Sequence, residues 1–193
     1  MRSVRQIKNL KGKTVLLRVD FNVPIKRGKV EDDFRIRKAL PTIDFLIRKG
    51  TKKIVLLAHL GKDGSEDLSP VRNRFFELYK QAKSKIEFFE NIRKFPGETK
   101  NDPAFAKKLS KMGDIYVNDA FSVCHRNHAS VSLVPQYLPC CMGLLLENEI
   151  GNLNKILFNP EKPMVVIIGG KKAETKAKLI ENISKIAGHV IIS

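Results

Sequence analysis

The sequence predicts an α/β protein, a three-layer α/β/α arrangement in which helices cover both faces of a parallel sheet. Short apolar segments rich in valine, isoleucine and leucine recur along the chain and alternate with segments whose apolar residues have helical spacing. The apolar segments do not alternate internally with polar residues, which is typical of strands that are buried on both faces. These two observations together indicate a parallel sheet with crossover helices.

Each predicted strand is a short apolar run. The runs cover residues 13–19, 53–58, 86–89, 114–117 and 163–168, with a further strand-like piece at 189–193. They are short, apolar and partly β-branched, which is typical of strands. Two connecting segments are predicted to be less regular than the strands and helices. Residues 25–32 form a polar loop that contains Gly28, and residues 130–141 form a less regular stretch with two prolines.

The predicted helices lie between these strands. They cover about 33–49, a segment that begins at residue 69, a segment that begins at residue 101, and about 143–158 and 173–187. Capping residues mark their starts, as with Asp32 or Asp33 in the first helix and Ser69 followed by Pro70 in the second. Pro41 lies inside the first helix and is expected to kink it.

Composition favours acidic partners and a reducing compartment. The net charge is +16, which suits nucleic acid, an anionic membrane or phosphorylated small molecules. The basic residues are spread over the chain, so we expect much of this surplus on solvated helix faces. Cys124, Cys140 and Cys141 lack the spacing of a zinc site or a disulfide framework. With no apolar run long enough to cross a bilayer, and no signal peptide in residues 1–13, a cytoplasmic location is expected.

Polar side chains follow four of the predicted strands. In chain order they are Asp20 and Asn22, then His59, then Arg93, then His125 and Arg126, with Arg35 shortly after the start of the first helix. The carboxyl ends of parallel strands share one edge of a sheet, so these groups are expected to converge there. Each has an ordinary alternative explanation as a turn former, a cap or a surface charge. Their joint placement predicts a binding site.

The residue types point to a small ligand with several negative charges and a hydroxyl group. Arginine binds phosphate or carboxylate through two parallel hydrogen bonds. Asp20 would be unfavourable beside an anion unless it accepts a hydroxyl proton or orients an arginine. A nucleic-acid site would also use arginines, but we would expect exposed aromatic residues for stacking, and the phenylalanines mostly fall in core positions.

Several motifs resemble those of the phosphoglycerate kinase family and occur in the family's order. They are Arg18-Val-Asp-Phe-Asn-Val-Pro24, His59-Leu-Gly61, Glu90-Asn-Ile-Arg93, Pro96-Gly-Glu98, Tyr116-Val-Asn-Asp-Ala-Phe121, His125-Arg-x-His128, Leu145-Leu-Glu147, and Gly169-Gly-x-Lys172 with Lys176. The glycine pair is not a Walker A loop, since the required spacing to Lys-Ser/Thr is missing. Any one motif alone would be weak, and together they are specific.

The resemblance implies a glycolytic transferase that moves a phosphoryl group reversibly between 1,3-bisphosphoglycerate and ADP, giving 3-phosphoglycerate and ATP, with Mg²⁺. It implies substrate-binding roles for Asp20, Asn22, Arg35, His59, Lys62, Arg93 and Arg126. It also implies catalytic roles for Arg35 and Lys176 and nucleotide-binding roles for Lys172 and Lys176. A monomer without a membrane or nucleic-acid partner is expected.

The sequence also departs from the family pattern. Lys62 and Asp63 stand where the family has arginine and proline, and Ser122 and Val123 stand where it has glycine and threonine. One strand–helix unit of the first domain is missing between residues 68 and 90; in the family's fold this unit lies at a sheet edge.

The chain is expected to be the amino-terminal half of such a kinase. We expect a triose-phosphate-binding domain at 1–145, an interdomain helix at 146–159 and the start of a nucleotide-binding domain at 160–193. The main nucleotide and metal site would then lie in the carboxyl-terminal part of the family, outside this sequence. Such a half should bind 3-phosphoglycerate without turning over alone. The alternatives are a non-catalytic anion- or nucleic-acid-binding module that reuses the lobe, and a truncated reading frame without an independent role.

Overall fold

The computed structural model describes residues 2–81, 83–169 and 177–192. The strands are β1 (Thr14–Arg18), β2 (Ile25–Lys26), β3 (Lys29–Val30), β4 (Lys53–Leu57), β5 (Ile86–Phe88), β6 (Ile115–Asn118), β7 (Cys140–Met142), β8 (Val165–Ile168) and β9 (His189–Ile192). The α-helices are α1 (Phe34–Arg48), α2 (Ser69–Leu78), α3 (Pro96–Thr99), α4 (Pro103–Ser110), α5 (Val134–Tyr137), α6 (Leu144–Phe158) and α7 (Ala177–Ser184). The chain divides into two compact units, Met1–Asn148 and Glu149–Ser193.

The first unit contains a five-stranded parallel sheet. Its strand order is β5-β4-β1-β6-β7, with β1 at the centre between β4 and β6. Every neighbouring pair in this sheet is parallel. The parallel α/β fold predicted from the apolar, non-alternating strands is therefore confirmed.

Apolar layers cover both faces of this sheet, because successive side chains of a strand point to opposite sides. On one face Val15 and Leu17 of β1 pack in a cluster that includes α1 and α2 residues, among them Ile43 and Phe75. On the other face Leu16 packs in a second cluster with residues from α4 and α5, among them Leu109 and Val134. This is the expected three-layer arrangement.

Two segments are more regular than the sequence predicted. Residues 25–32 form a small hairpin of β2 and β3, in which Arg27 and Gly28 both have positive φ, as type I′ turns require. Residues 130–141 contain α5 and the first two residues of the edge strand β7. The sequence did not predict these short strands, because the two hairpin strands and β7 have only two or three residues each, too few to show a hydrophobic period.

An aromatic cluster lies beside β5, the edge strand that follows α2. Phe88 of β5 contacts Phe75 of α2, with ring centroids 5.2 Å apart, and Phe21 and Phe76 at about 6 Å. A short 3₁₀ turn, Lys83–Lys85, leads from the α2 region into β5. Among the described residues, therefore, no further strand or α-helix lies between α2 and β5.

The second unit pairs β8 with β9 in parallel, with α7 between them in sequence. Several apolar residues of this two-stranded sheet are exposed, including Val165, Ile167 and Ile191. The predicted helix at 173–187 is observed as α7, and its first four residues lie outside the described part of the chain. None of the helices that the structure describes is both long and apolar enough to cross a membrane.

Candidate functional site

A cavity of about 710 Å³ lies at the carboxyl-terminal edge of the five-stranded sheet. We call it the strand-end cavity. Its lining residues are Asn22, Arg35, His59, Gly61, Lys62, Asp63, Ser65, Glu66, Arg93, Ser122, Val123 and Arg126. Six of the seven residues that the sequence assigned to substrate binding are among them. The seventh, Asp20, forms hydrogen bonds with two lining residues, Arg35 and Ser122. What these residues bind stays a prediction at this point.

The parallel strands explain why residues distant in sequence meet here. Asn22 follows β1, His59 follows β4, Arg93 follows β5 and Arg126 follows β6. Because all these strands run in the same direction, the segments after them reach the same edge. Arg35 comes from the first turn of α1. His125, which precedes Arg126, is exposed and is not part of the cavity lining.

Asp20 holds Arg35 in place. Arg35 donates to Asp20 Oδ2 at 2.6 Å, and the Ser122 hydroxyl donates to the same oxygen at 2.7 Å. Burial alone would raise the pKa of Asp20, but the hydrogen bonds from Ser122 and Arg35, the charge of Arg35 and the backbone N–H of Asn22 outweigh it and lower the pKa. The carboxylate therefore stays charged and orients the Arg35 guanidinium.

Arg93 and Asn22 are tied to the loop that follows β4. Asn22 Oδ1 accepts from the backbone N–H of Gly61 at 2.9 Å, and Arg93 donates to the Gly61 carbonyl at 2.6 Å. The buried Nε of Arg93 has no acceptor within the described residues. Burial, followed by the charges of Arg18 and Arg126, lowers the pKa of Arg93. Several cations are thus held close together, an arrangement that an anion would stabilise.

Close packing also fixes the loop that follows β4. Gly64 has a φ of +86°, and a Cβ at this position would collide with the backbone carbonyl of Arg93. Only glycine fits this approach without moving the backbone. The loop after β4 and the turn after β5 are therefore packed together, and Arg93 donates to the carbonyl of Lys62 at 3.4 Å; both residues line the cavity.

A buried polar network lies behind His59, and sequence reasoning missed it. Arg18 is 1% exposed and donates to His59 Nδ1 and to the Ser130 hydroxyl, which in turn donates to buried Glu98. Burial, followed by the charges of Arg18 and Arg93, lowers the pKa of His59 to about 3. The sequence signal that could have indicated this network is Arg18, a charged residue at the end of an apolar strand, because a buried charge needs partners from elsewhere in the chain.

A neighbouring cavity differs in charge. It has a volume of about 780 Å³ and is lined by apolar and polar residues together with Glu66 and Asp67, and no lysine or arginine of the described chain lines it. An anion would find no cationic partner there. The strand-end cavity, lined by Arg35, Lys62 and Arg93 among others, suits an anion better.

Lys172 and Lys176, with Gly170 of the glycine pair, lie outside the described residues. Among the residues that the structure does describe, no group of three or more histidine, cysteine or carboxylate side chains could hold a metal ion.

The fold and the strand-end cavity define an α/β protein with a cationic cavity at the carboxyl-terminal edge of its parallel sheet. The sequence profile of phosphoglycerate kinase matches residues 4–89 and 77–193. The chain belongs to the phosphoglycerate kinase family. The phosphoglycerate kinases of Rubrobacter xylanophilus and Dictyoglomus turgidum are 42% and 44% identical to it, over 99% and 95% of the chain.

Comparison with solved structures gives the same family. The chain superimposes on phosphoglycerate kinase from Coxiella burnetii with a TM-score of 0.87 at 34% identity, and on that from Pyrococcus horikoshii with a TM-score of 0.89 at 31% identity. These matches cover 99% and 100% of the chain, and 54% and 55% of the solved chains. The chain likewise spans about half the length of the curated relatives, 54% and 52% for the two named above.

The comparisons also support a shortened first domain. The alignment with the Rubrobacter xylanophilus protein is 215 positions long, so at least 22 of its positions (215 less 193) have no counterpart in this chain. The two matches to the family profile meet and overlap at residues 77–89, where α2 passes to the edge strand β5. This overlap falls within residues 68–90, the interval in which the sequence predicts a missing strand–helix unit.

We expect Ser122→Ala to raise the pKa of the Asp20 carboxyl, because it removes one of the hydrogen bonds that stabilise the charged form. A carboxyl whose pKa is lower in the folded than in the unfolded protein stabilises the fold at any pH above its unfolded pKa. This contribution is lost as the pH falls through the folded pKa. The variant should therefore lose less stability than the wild type on acidification below about pH 4. NMR titration of the Asp20 carboxyl carbon measures the shift.

Ser132→Ala is the matched control. The Ser132 hydroxyl contacts Asn101 and the backbone of His128 and does not contact Asp20. A Ser122→Ala titration curve that coincides with those of the wild type and the control would contradict the role given to Ser122.

Proposed function

We propose that this chain is the 3-phosphoglycerate-binding half of a phosphoglycerate kinase. The whole enzyme would transfer a phosphoryl group between 1,3-bisphosphoglycerate and ADP, giving 3-phosphoglycerate and ATP. The observation that supports this most is the arrangement of Asn22, Arg35, His59, Arg93 and Arg126 around one cavity at the strand ends. Membership of the family makes the reaction the natural candidate.

The cavity suits the chemistry of 3-phosphoglycerate, which has a phosphate, a carboxylate and a hydroxyl group. Arginines such as Arg93 and Arg126 can each bind one of the anionic groups through paired N–H donors. The amide of Asn22 can reach a hydroxyl, although its oxygen already accepts from Gly61. Arg35, held by Asp20, is the proposed contact of the transferring phosphoryl group. Lys62 adds a positive charge at the cavity.

We propose that the nucleotide is bound mainly by the part of the family's fold that follows the residues of this chain. Lys172 and Lys176 are proposed to contact the nucleotide phosphates, and Lys176 the transferring group. Magnesium would enter with ATP or ADP as part of the substrate, and the described residues do not fit a metal site of their own. Phosphoryl transfer depends on alignment and charge neutralisation, so both halves are needed.

The isolated chain is therefore proposed to bind without turnover. We propose the domain roles expected from the sequence, with residues 1–145 binding the triose phosphate, 146–159 linking the domains and 160–193 beginning the nucleotide domain. A monomer in the cytoplasm stays the prediction.

A second candidate function, sequence-independent nucleic-acid binding, is favoured by lysines at the opposite edge of the sheet. Lys13, Lys52, Lys85 and Lys111 precede β1, β4, β5 and β6, so they lie at the amino-terminal edge of the parallel strands. The backbone N–H of Lys52 donates to the carbonyl of Lys13 at 2.8 Å, which shows that the segments preceding β1 and β4 are neighbours. We call these four residues the lysine edge. Lysine contacts to phosphate carry no sequence information and weaken steeply with salt.

The first candidate predicts that Arg126→Gln weakens 3-phosphoglycerate binding by about tenfold or more, since a hydrogen bond to a charged group contributes roughly 1.5–3 kcal/mol. Arg126 is exposed, so the variant should fold normally. Calorimetric titration gives the dissociation constants. The control is Arg48→Gln, because Arg48 is 78% exposed and pairs with Asp44 near the other end of α1. Equal affinities for the two variants, or no wild-type binding at millimolar ligand, would refute the proposal.

The second candidate predicts that replacing Lys13, Lys52 and Lys111 by glutamine weakens binding to duplex DNA. The slope of log K against log salt should become shallower by about 0.9 for each DNA phosphate that a lysine no longer neutralises. Fluorescence anisotropy at several salt concentrations measures it, with Lys26, Lys29 and Lys100 replaced together as the control. If both triple variants keep the wild-type slope, these three residues of the lysine edge do not bind DNA, which contradicts the second candidate.

A further inference from the structure

A chain of hydrogen bonds connects a buried carboxylate to the ring of His59. Ser130 Oγ lies 2.6 Å from Glu98 Oε1, Arg18 Nε lies 3.3 Å from Ser130 Oγ, and Arg18 Nη2 lies 3.1 Å from His59 Nδ1. All four residues are buried, with exposed fractions from 0% to 4%. Among the four, only His59 lines the strand-end cavity.

Chemistry fixes the direction of every bond in this chain. A guanidinium group has only donors, so His59 Nδ1 and Ser130 Oγ must both accept from Arg18. The serine hydroxyl then has its single hydrogen left for Glu98. Two further bonds, from Arg18 Nη1 to the carbonyls of Val19 at 2.6 Å and Leu57 at 3.2 Å, hold the guanidinium against the backbone just after β1 and at the end of β4.

We propose that Arg18 is a positioning residue that keeps His59 neutral and protonated at Nε2, so that the imidazole offers one fixed N–H donor to an anion in the strand-end cavity. A neutral imidazole carries its proton on one nitrogen, and Nδ1 is committed as an acceptor. A charged imidazole would direct an Nδ1–H at the Arg18 donor, which is unfavourable. The choice of an anion rests on the proposed function; the tautomer does not.

The same geometry governs the dependence on pH. The charged and titratable groups that act on His59 are Arg18, Arg93, Asp20 and His128. Burial, then the charges of Arg18 and Arg93, lowers the pKa of His59 to about 3, against the weaker opposing effect of Asp20. His59 therefore contributes the same donor at every pH between about 5 and 8.

Long-range ¹H–¹⁵N NMR of the wild-type chain, without any ligand, tests the tautomer directly. We expect Nε2 to show the shift of a protonated nitrogen and Nδ1 that of a hydrogen-bonded acceptor, unchanged from pH 5 to 8. A ring protonated at Nδ1, or a titration midpoint near 6.5, would overturn the proposal. Since no ligand is present, failure to bind 3-phosphoglycerate would leave this result standing.

Arg18→Met tests the role of the arginine. Without its donor and charge, the pKa of His59 should rise from about 3 towards 6.5, and the variant's affinity for inorganic phosphate should increase as the pH falls through this range. Arg48→Gln is the control, because Arg48 is an exposed arginine that pairs with Asp44 and does not line the cavity. A His59 pKa that stays near 3 in Arg18→Met would refute the role of Arg18. If that variant does not fold, the wild-type spectrum still decides the tautomer.

Discussion

The parallel pairing of β1 with β4 and β6 is the constraint on which the site depends. These strands run side by side at the centre of the sheet, in the registers Leu17↔Leu56 and Leu17↔Val117. Their carboxyl ends therefore stop at one edge, and the polar residues that follow them meet there. A change in the direction of one strand would move its polar residue to the opposite edge.

The cationic cavity needs support from buried groups. Like charges repel, so arginines gather only where carboxylates and backbone carbonyls hold them. Asp20 holds Arg35, the Gly61 carbonyl holds Arg93, and Ser130, with Glu98 behind it, holds Arg18. These contacts occupy only some of the arginine N–H donors, which leaves others available to a ligand.

The sequence carried enough information for the main fold and for the composition of the site. Buried strands such as β1 and β4 are continuous apolar runs, and the residues after them, such as Asn22 and His59, could be assigned to one edge from the parallel topology alone. β7 could not be predicted, because three residues at a sheet edge show no period and form only through pairing with β6. The tautomer of His59 depends on Arg18, 41 residues away in sequence, and such a contact leaves no local pattern.

Binding of 3-phosphoglycerate in the strand-end cavity is the central claim. The most direct test is a titration of the ¹⁵N-labelled chain with 3-phosphoglycerate, followed through the backbone amide shifts. We predict the largest shifts at Gly61, Arg93 and Ser122, which line that cavity. Largest shifts at the lysine edge, or around Asp67 and Asn73 of the neighbouring cavity, would contradict it.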